Sequence, residues 1–311
     1  MKISQAITRV NPPTPIRWWQ KYRNRNLVIA FLFVFPALLN FLLFRYLPII
    51  WAARTSFYRY SFFRGFEGFV GLDHYIKIFT NDPEFINSLK VTLIFALTKV
   101  PIQVVLALAL AVFAVRNIPG MGAMRAIIFI PVVTSFIVVS IVWGMMLNKD
   151  VGLVNAILQT VGLPRMEFLS SKANALPSII MISIWKDVGY SVIVLVAAMK
   201  GISEVYYEVA MVLGANAWQQ FINVTIPMLR RALMFVVVMG TLSAFQVFIP
   251  IYQLTRGGPR DTTNVIVYYI YKKAFQFGEM DYAAALSIVL LAIMLIFSLV
   301  QMRIMRSEEF E

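Results

Sequence analysis

The chain has 311 residues, of which 60% are hydrophobic and 14% charged, with a mean hydropathy of +0.75; a soluble domain carries roughly 25% charged residues, so this composition excludes a water-soluble globule and makes lipid part of the solvent. The formal net charge of +13 reads as basic residues flanking membrane spans and facing anionic lipid, not as a nucleic-acid footprint. Cysteine is absent and His74 is the only histidine, which excludes a disulfide framework and thiol chemistry and leaves no ligand set for a metal.

The first 26 residues are polar and basic, with Lys2, Arg9, Arg17, Lys21, Arg23 and Arg25. This is no cleavable signal; it reads as a cytoplasmic leader feeding an uncleaved helix. Trp18, Trp19 and Tyr22 suit the membrane interface. Six apolar stretches then reach the length of about 20 residues that a helix needs to cross the hydrocarbon core. They run over 27–50, 88–115, 124–147, 176–199, 229–253 and 282–305. Helices satisfy their own backbone groups, so lipid favours them. The expected fold is an all-α membrane domain of about six transmembrane helices, followed by a short cytoplasmic tail over 306–311. With six spans both termini lie inside, Arg303 and Arg306 included. Pro36, Pro48, Pro101, Pro131 and Pro250 fall within or near spans, either as ordinary membrane-helix prolines or as bends around a cavity. The segments read as outer loops mix basic residues with Glu67, Asp73, Asp82, Glu84, Glu279 and Asp281, which points to local folding at the surface.

Ionisable residues inside spans are costly and mark candidates for function. Lys99 in the second span and Asp187 in the fourth both fall near mid-depth. Lys186 adjoins Asp187 in sequence and cannot face it. A Lys99–Asp187 pair across the two helices is therefore expected, either as neutralisation or as a wall of a pathway. Ser183, Asp187 and Tyr190 share one face of the fourth span by i, i+4, i+7 spacing. Gly240, Ser243, Ala244, Gln246 and Val247 offer small and polar positions on the fifth, which also suit tight helix packing.

The loop between the fourth and fifth spans, residues 201–227, is amphipathic. Gly201 can end the fourth span and Ser203 can cap a new helix. Val205, Val209, Val212 and Leu213 follow helical spacing beside Glu208. Gly214 permits a turn, and Trp218, Phe221 and Ile222 form a second apolar stripe before Pro227. A surface-lying amphipathic connector is the bland alternative.

At these residues the chain resembles the coupling loop of binding-protein-dependent ABC importer permeases. That family's pattern is Glu-Ala-Ala, three residues, Gly-Ala, then an aromatic and a closing proline. Glu208, Ala210, Gly214, Ala215, Phe221 and Pro227 match in spacing. Val209 replaces the middle alanine, Leu213 stands where the family often has aspartate, and Arg231 where sugar permeases often have proline. Residues 69–75, 81–85, 254–259 and 268–275 are similar to the carbohydrate-importing branch, of maltose and glycerol-phosphate type. The resemblance covers nearly the whole chain and points to the first permease of a pair.

The resemblance implies a type I ABC importer permease fold with a core over about 88–305, in a bacterial cytoplasmic (inner) membrane. It implies a non-catalytic subunit forming half of a sugar pathway beside a second, different permease chain. Two ATPase subunits and an extracytoplasmic sugar-binding protein complete the assembly. ATP and magnesium would belong to the ATPase, because this chain has no Gly-x-x-x-x-Gly-Lys-Ser/Thr segment. Glu208, Ala210, Gly214, Ala215, Trp218, Phe221 and Pro227 would engage the ATPase. Ser183, Asp187, Tyr190, Gly240, Ser243, Ala244 and Val247 would line the sugar pathway. A self-sufficient secondary transporter or channel is the competing reading; the loop argues against it, as does the lack of an obvious inverted repeat. A membrane enzyme would need a nucleophile–base or metal cluster, and none is visible.

Overall fold

The computed structural model describes residues 22–61, 63–116 and 118–305. The expectations for Lys2, Arg9, Arg17, Trp18, Trp19, Lys21 and Arg306 lie outside the described residues. The chain separates into two units, residues 1–54 and 55–311.

In the first unit, α1 (Tyr22–Phe41) passes through a wide π-helical turn, Leu42–Tyr46, into α2 (Leu47–Thr55). Together they supply a 31-residue apolar run, Arg25–Thr55, long enough to cross a membrane. The wide turn has a local cause. Pro48 has no amide hydrogen and its ring crowds the carbonyl four residues back. The turn ahead of it relaxes by one residue, and the Leu47 amide donates to Leu42.

The second unit opens on a hairpin, β1 (Tyr58–Ser61) antiparallel to β2 (Gly65–Phe69), with Tyr58 opposite Phe69 and Tyr60 opposite Phe66. Tyr58, Tyr60, Phe66 and Phe69 touch ring to ring. This hairpin amends the all-α expectation: alternating aromatics fit a pleated surface better than a helix. A short helix, α3 (Asp73–Thr80), leads to α4 (Pro83–Ala114). Asp82 caps α4, accepting from the Phe85 amide at 2.9 Å, and Pro83 sits where a missing amide hydrogen costs nothing. The second span therefore starts five residues before the expected Ser88.

The third span is broken. α5 (Met121–Val133) and α6 (Phe136–Met146) meet at 97°. Among the described residues, five helices are long and apolar enough to cross a membrane, or six if this bent pair counts as one. After α7 (Leu153–Thr160) comes α8 (Ala175–Lys200), the central helix of this unit. Of its apolar window 67% is buried, against 33% for α4 and for the last two spans. The connection from α8 holds α9 (Glu204–Val212), α10 (Ala217–Gln220), a π turn at Phe221–Thr225 and α11 (Ile226–Met228). The π turn again precedes a proline by two residues, here Pro227, and the Ile226 amide donates to Phe221. The fifth span is interrupted at 246–248, between α12 (Arg230–Phe245) and α13 (Ile249–Leu254), with Pro250 opening the second piece. α14 (Ile266–Tyr271) and α15 (Met280–Met305) complete the chain.

Packing joins α4, α8, α12, α14 and α15 around Phe95, Ile179, Phe245, Ile266 and Leu286, all essentially without solvent exposure. A second core over Ala107, Ala111, Leu195 and Leu229 ties the other ends of α4, α8 and α12. The hairpin end is pinned by polar contacts. The carboxylate of Asp82 accepts from the hydroxyls of Tyr269, at 2.7 Å, and Tyr282. The Asp281 carboxylate accepts from the Tyr60 amide at 3.2 Å and stands 3.6 Å from His74. Burial, and then the hydrogen bond to Asp82, push the pKa of Tyr269 well above the ordinary tyrosine value.

Candidate functional site

Lys99 and Asp187 stand near the midpoints of α4 and α8, and they meet: Lys99 Nζ lies 2.6 Å from Asp187 Oδ2. The lysine side chain is 3% exposed and the carboxylate 28%. One helical turn further, Gln103 Nε2 donates to Ser191 Oγ at 3.0 Å. Both rungs use residues four apart on their own helices, so two polar faces meet along one seam. An isolated buried charge is costly, and here each member neutralises the other. Gln103 and Ser191 were absent from the sequence reading, though each lies four residues from a charged residue already singled out.

Asp187 opens on a cavity of about 590 Å³. Of the pathway candidates, Ser183, Asp187, Ser243, Gln246 and Val247 line it together with Lys99. Tyr190, Gly240 and Ala244 do not. Tyr190 is exposed on another part of α8, Gly240 packs toward Val100 of α4, and Ala244 is fully buried in the core. Position along the axis explains Tyr190: it keeps nearly the face of Ser183 but stands seven residues, roughly 10 Å, further along α8, beyond the cavity lining. Ser183 itself is nearly closed off, its hydroxyl donating to the Ile179 carbonyl at 2.8 Å. Phe136, Met239, Leu242, Phe248, Ile249 and Pro250 complete the lining. Four of these six sit at the two broken spans, at or just after the break, so the interruptions shape the cavity. A wall of aromatic and aliphatic surface with a few convergent polar groups suits a small hydroxylated ligand. A larger hollow of about 740 Å³, lined by Ile102, Leu106, Ile127 and Trp185 among others, is almost wholly apolar and fits hydrocarbon better.

Lys186 has a different task. Its ammonium donates to the Val132 carbonyl at 3.1 Å and lies 5.5 Å from the centre of the Phe136 ring. The break after α5 leaves carbonyls without helical partners. Thr134 takes one, its hydroxyl donating to Pro131 at 2.6 Å, and Lys186 takes the next. A cation at a helix C-terminus also favours the helix dipole. The two adjacent ions of α8 thus serve two neighbours, Asp187 toward α4 and Lys186 toward α5.

The connection over 201–227 forms an elbow at the opposite end from the hairpin. Gly201 ends α8. Ser203 takes the N-cap position of α9, but its side chain makes no capping hydrogen bond, contrary to expectation. At the far end of α9, Gly214 has φ of +80°, the left-handed conformation that glycine adopts without strain. Its amide donates to Met211 at 2.9 Å and the Ala215 amide reaches back to Ala210, also at 2.9 Å. This is a Schellman motif, so three of the expected motif positions close one turn. Asn216 then caps α10 reciprocally with Gln219. Trp218 and Phe221 lie 5.7 Å apart by ring centres, and Tyr207 is hydrogen-bonded to Thr225 at 3.0 Å, bracing α9 against the π turn. Glu208 and Pro227 are exposed. So is the apolar stripe: Val212 is 87% exposed and Leu213 80%. Between the elbow and the ends of α4 and α8 lies a further cavity of about 750 Å³, with Arg116, Lys200 and Glu204 on its walls.

Comparison with known proteins identifies the family. Residues 83–307 match the family described as "Binding-protein-dependent transport system inner membrane component". The chain is 34% identical over 292 residues to the "Probable ABC transporter permease protein YurN" of Bacillus subtilis (strain 168), covering 93% of this chain and 99% of that protein. It is 33% identical over 283 residues to the "Lactose transport system permease protein LacF" of Rhizobium radiobacter, covering 88% and 93%. Among solved structures, it superposes with a TM-score of 0.80 and 27% identity on a chain of a "bacterial alginate ABC transporter in complex with alginate pentasaccharide-bound periplasmic protein", covering 93% of this chain and 97% of that one. With the family match spanning most of the sequence, this chain belongs to the inner membrane components of binding-protein-dependent transport systems.

Proposed function

We propose that this chain is a non-catalytic permease subunit of an ATP-driven importer for a sugar or oligosaccharide, forming half of the translocation pathway. The observation that carries the proposal is the elbow. A doubly capped turn presents an apolar stripe to solvent, in a chain without an ATP-binding glycine-rich segment of its own. Such a face suits burial in a cleft of a separate ATPase, with Val212, Leu213 and Trp218 as anchors. In this reading the elbow end, both termini and the basic leader face the cytoplasm, and the hairpin end meets an external sugar-binding protein. Two ATPase subunits hold ATP and Mg²⁺, and a second permease chain supplies the other half of the path. Closure of the ATPases draws the elbows together and switches the spans between two packed states. The sugar assignment draws support from the cavity at Asp187, Ser243 and Gln246, and from relatives named for lactose and for trehalose/maltose transport.

The test is reconstitution. The chain, co-expressed with its neighbouring permease, ATPase and binding protein, is expected to co-purify with the ATPase and to accumulate labelled glycans in proteoliposomes only with ATP. Solute movement by this chain alone, without an ATPase, would replace the proposal with a self-sufficient carrier or channel.

A further inference from the structure

The ends of α4 and α8 each place a cation on the cavity of about 750 Å³ that separates the elbow from the bundle. Arg116 follows the C-cap of α4, and Lys200 is the last residue of α8. Neither is paired with a carboxylate among the described residues. A cation at a helix C-terminus suits the helix dipole, which accounts for each charge singly but not for both lining one hollow. The α4 wall is fixed from α5, where the Arg125 guanidinium donates to the Ala114 carbonyl at 2.8 Å and to the Arg116 carbonyl at 3.3 Å. The facing wall is the elbow itself, closed by the hydrogen bond between Tyr207 and Thr225.

Val112, Ile202 and Phe221 give the cavity an apolar side. Cations on one wall and hydrocarbon on another suit an amphiphile, with a phosphate against Arg116 and Lys200 and carbon against the rest. Glu204, on the same lining, leaves one positive charge in excess and offers an acceptor to a head-group hydroxyl. α4 and α8 are both long and apolar enough to cross a membrane, so their ends lie at the level of lipid head groups.

We infer that this cavity holds the head group and first carbons of an anionic glycerophospholipid of the phosphatidylglycerol type, wedged between the elbow and the bundle. The inference rests on the proposed orientation and coupling role of the elbow, and adds a lipid that braces it.

The experiment uses the assembled importer in nanodiscs of phosphatidylcholine, alone or mixed with phosphatidylglycerol. Native mass spectrometry of the released permease chain counts the lipid it retains. The wild type is expected to retain phosphatidylglycerol in preference to phosphatidylcholine. Arg116→Gln and Lys200→Gln should each lower that retention about fivefold, and Arg116→Lys and Lys200→Arg should recover it. Arg303→Gln, at the same end of the bundle but off the cavity lining, should change it less than about twofold. In the wild type, amide exchange across 201–227 should slow when phosphatidylglycerol is present, a readout that needs no variant to fold. Equal retention of the two lipids, a loss in Arg303→Gln as large as in the cavity variants, or unchanged exchange overturns the site. The same slowing from soluble glycerol phosphate in phosphatidylcholine discs assigns the cavity to a free phosphate and overturns the lipid. Failure of the coupling role reads differently: an ATPase indifferent to the elbow, with phosphatidylglycerol still retained through Arg116 and Lys200, removes the coupling and leaves the lipid site standing.

Discussion

Gly189 of α8 lies so close to Ile128 of α5 that a β-carbon there would stand 2.3 Å from the Ile128 carbonyl oxygen and 2.9 Å from a methyl of Val132. This approach is what lets Lys186, less than one helical turn earlier, reach the Val132 carbonyl. Gly189→Ala must push α5 off α8, because a backbone oxygen cannot swing aside as a side chain can. The expected cost is about 1–3 kcal/mol, read as a lower Tm of the detergent-solubilised complex. Gly122→Ala provides the contrast: Gly122 is also helical, nothing lies within 4 Å of the added carbon, and its Tm should hold or rise. Equal behaviour of the two variants would show that the close approach is not structural.

Lys186→Met removes the ammonium from the broken end of α5 and strands the Val132 carbonyl. This acceptor is partly buried, so leaving it without its partner costs at most about 1–3 kcal/mol. Because the loss is local, amide hydrogen exchange across 130–140 should accelerate more than exchange in α15. Lys186→Arg keeps a donor and should recover most of the protection. Uniform acceleration throughout the bundle would argue against a hinge-specific role.

Neutralising Asp187 leaves the almost fully buried Lys99 without a counter-ion. Breaking one side of such a pair typically costs about 3–5 kcal/mol, so Asp187→Asn and Lys99→Met should each reduce assembled protein and transport. The reversed pair, Lys99→Asp with Asp187→Lys, should regain part of both. If the double variant is no better than the worse single, the two charges act independently and the pairing has no energetic consequence.

Gly214 has open space around a would-be β-carbon, so the constraint is its backbone angle and not crowding. Gly214→Pro forbids φ of +80° and removes the amide that bonds Met211. It should abolish substrate-stimulated ATPase in an importer that still contains all subunits. Gly214→Asn, which tolerates the left-handed region, should keep at least half of the stimulation. Full transport by an assembled proline variant would remove the elbow from the coupling scheme.

Tyr269 contributes a pH dependence. Its hydroxyl donates to Asp82, and its folded pKa is raised above the unfolded value of about 10. That contribution is fully present below pH 10 and is lost as pH climbs beyond it, when the unfolded chain releases the proton more readily. Tyr269→Phe should lower Tm at pH 8, while flattening the fall in Tm between pH 9.5 and 11. An unchanged alkaline slope would exclude Tyr269 as its source.

The spans, the elbow and the meeting of Lys99 with Asp187 could all be read from residue order, because each rests on a local pattern: apolar length, glycine and proline at fixed offsets, or rare charges at matched depth. The 97° break after Val133 could not. Its flanks, Val132 to Ser135, read as one more stretch of an apolar run, and Pro131 resembles the prolines that leave other spans unbroken. What decides the bend is Lys186 and Thr134 satisfying the freed carbonyls, a tertiary contact 54 residues away in sequence for the lysine. The same applies to Tyr190, which follows the i, i+7 spacing but stands further along α8 than the cavity, and to Ala244, which packs into the core instead of lining it. The hairpin was missed although Tyr58, Tyr60 and Phe66 alternate.

The joint between α9 and α10 is locked from both sides, by a left-handed glycine closing one helix and an asparagine opening the next. Little backbone there is free to give, so a displacement applied at Val212 is transmitted instead of being absorbed by unwinding. If the elbow docks on an ATPase as proposed, the stiffness of a handful of main-chain hydrogen bonds sets how much of that engine's stroke reaches the membrane. Softening that joint should cost mechanical yield, in solute moved for each nucleotide consumed, before it costs assembly.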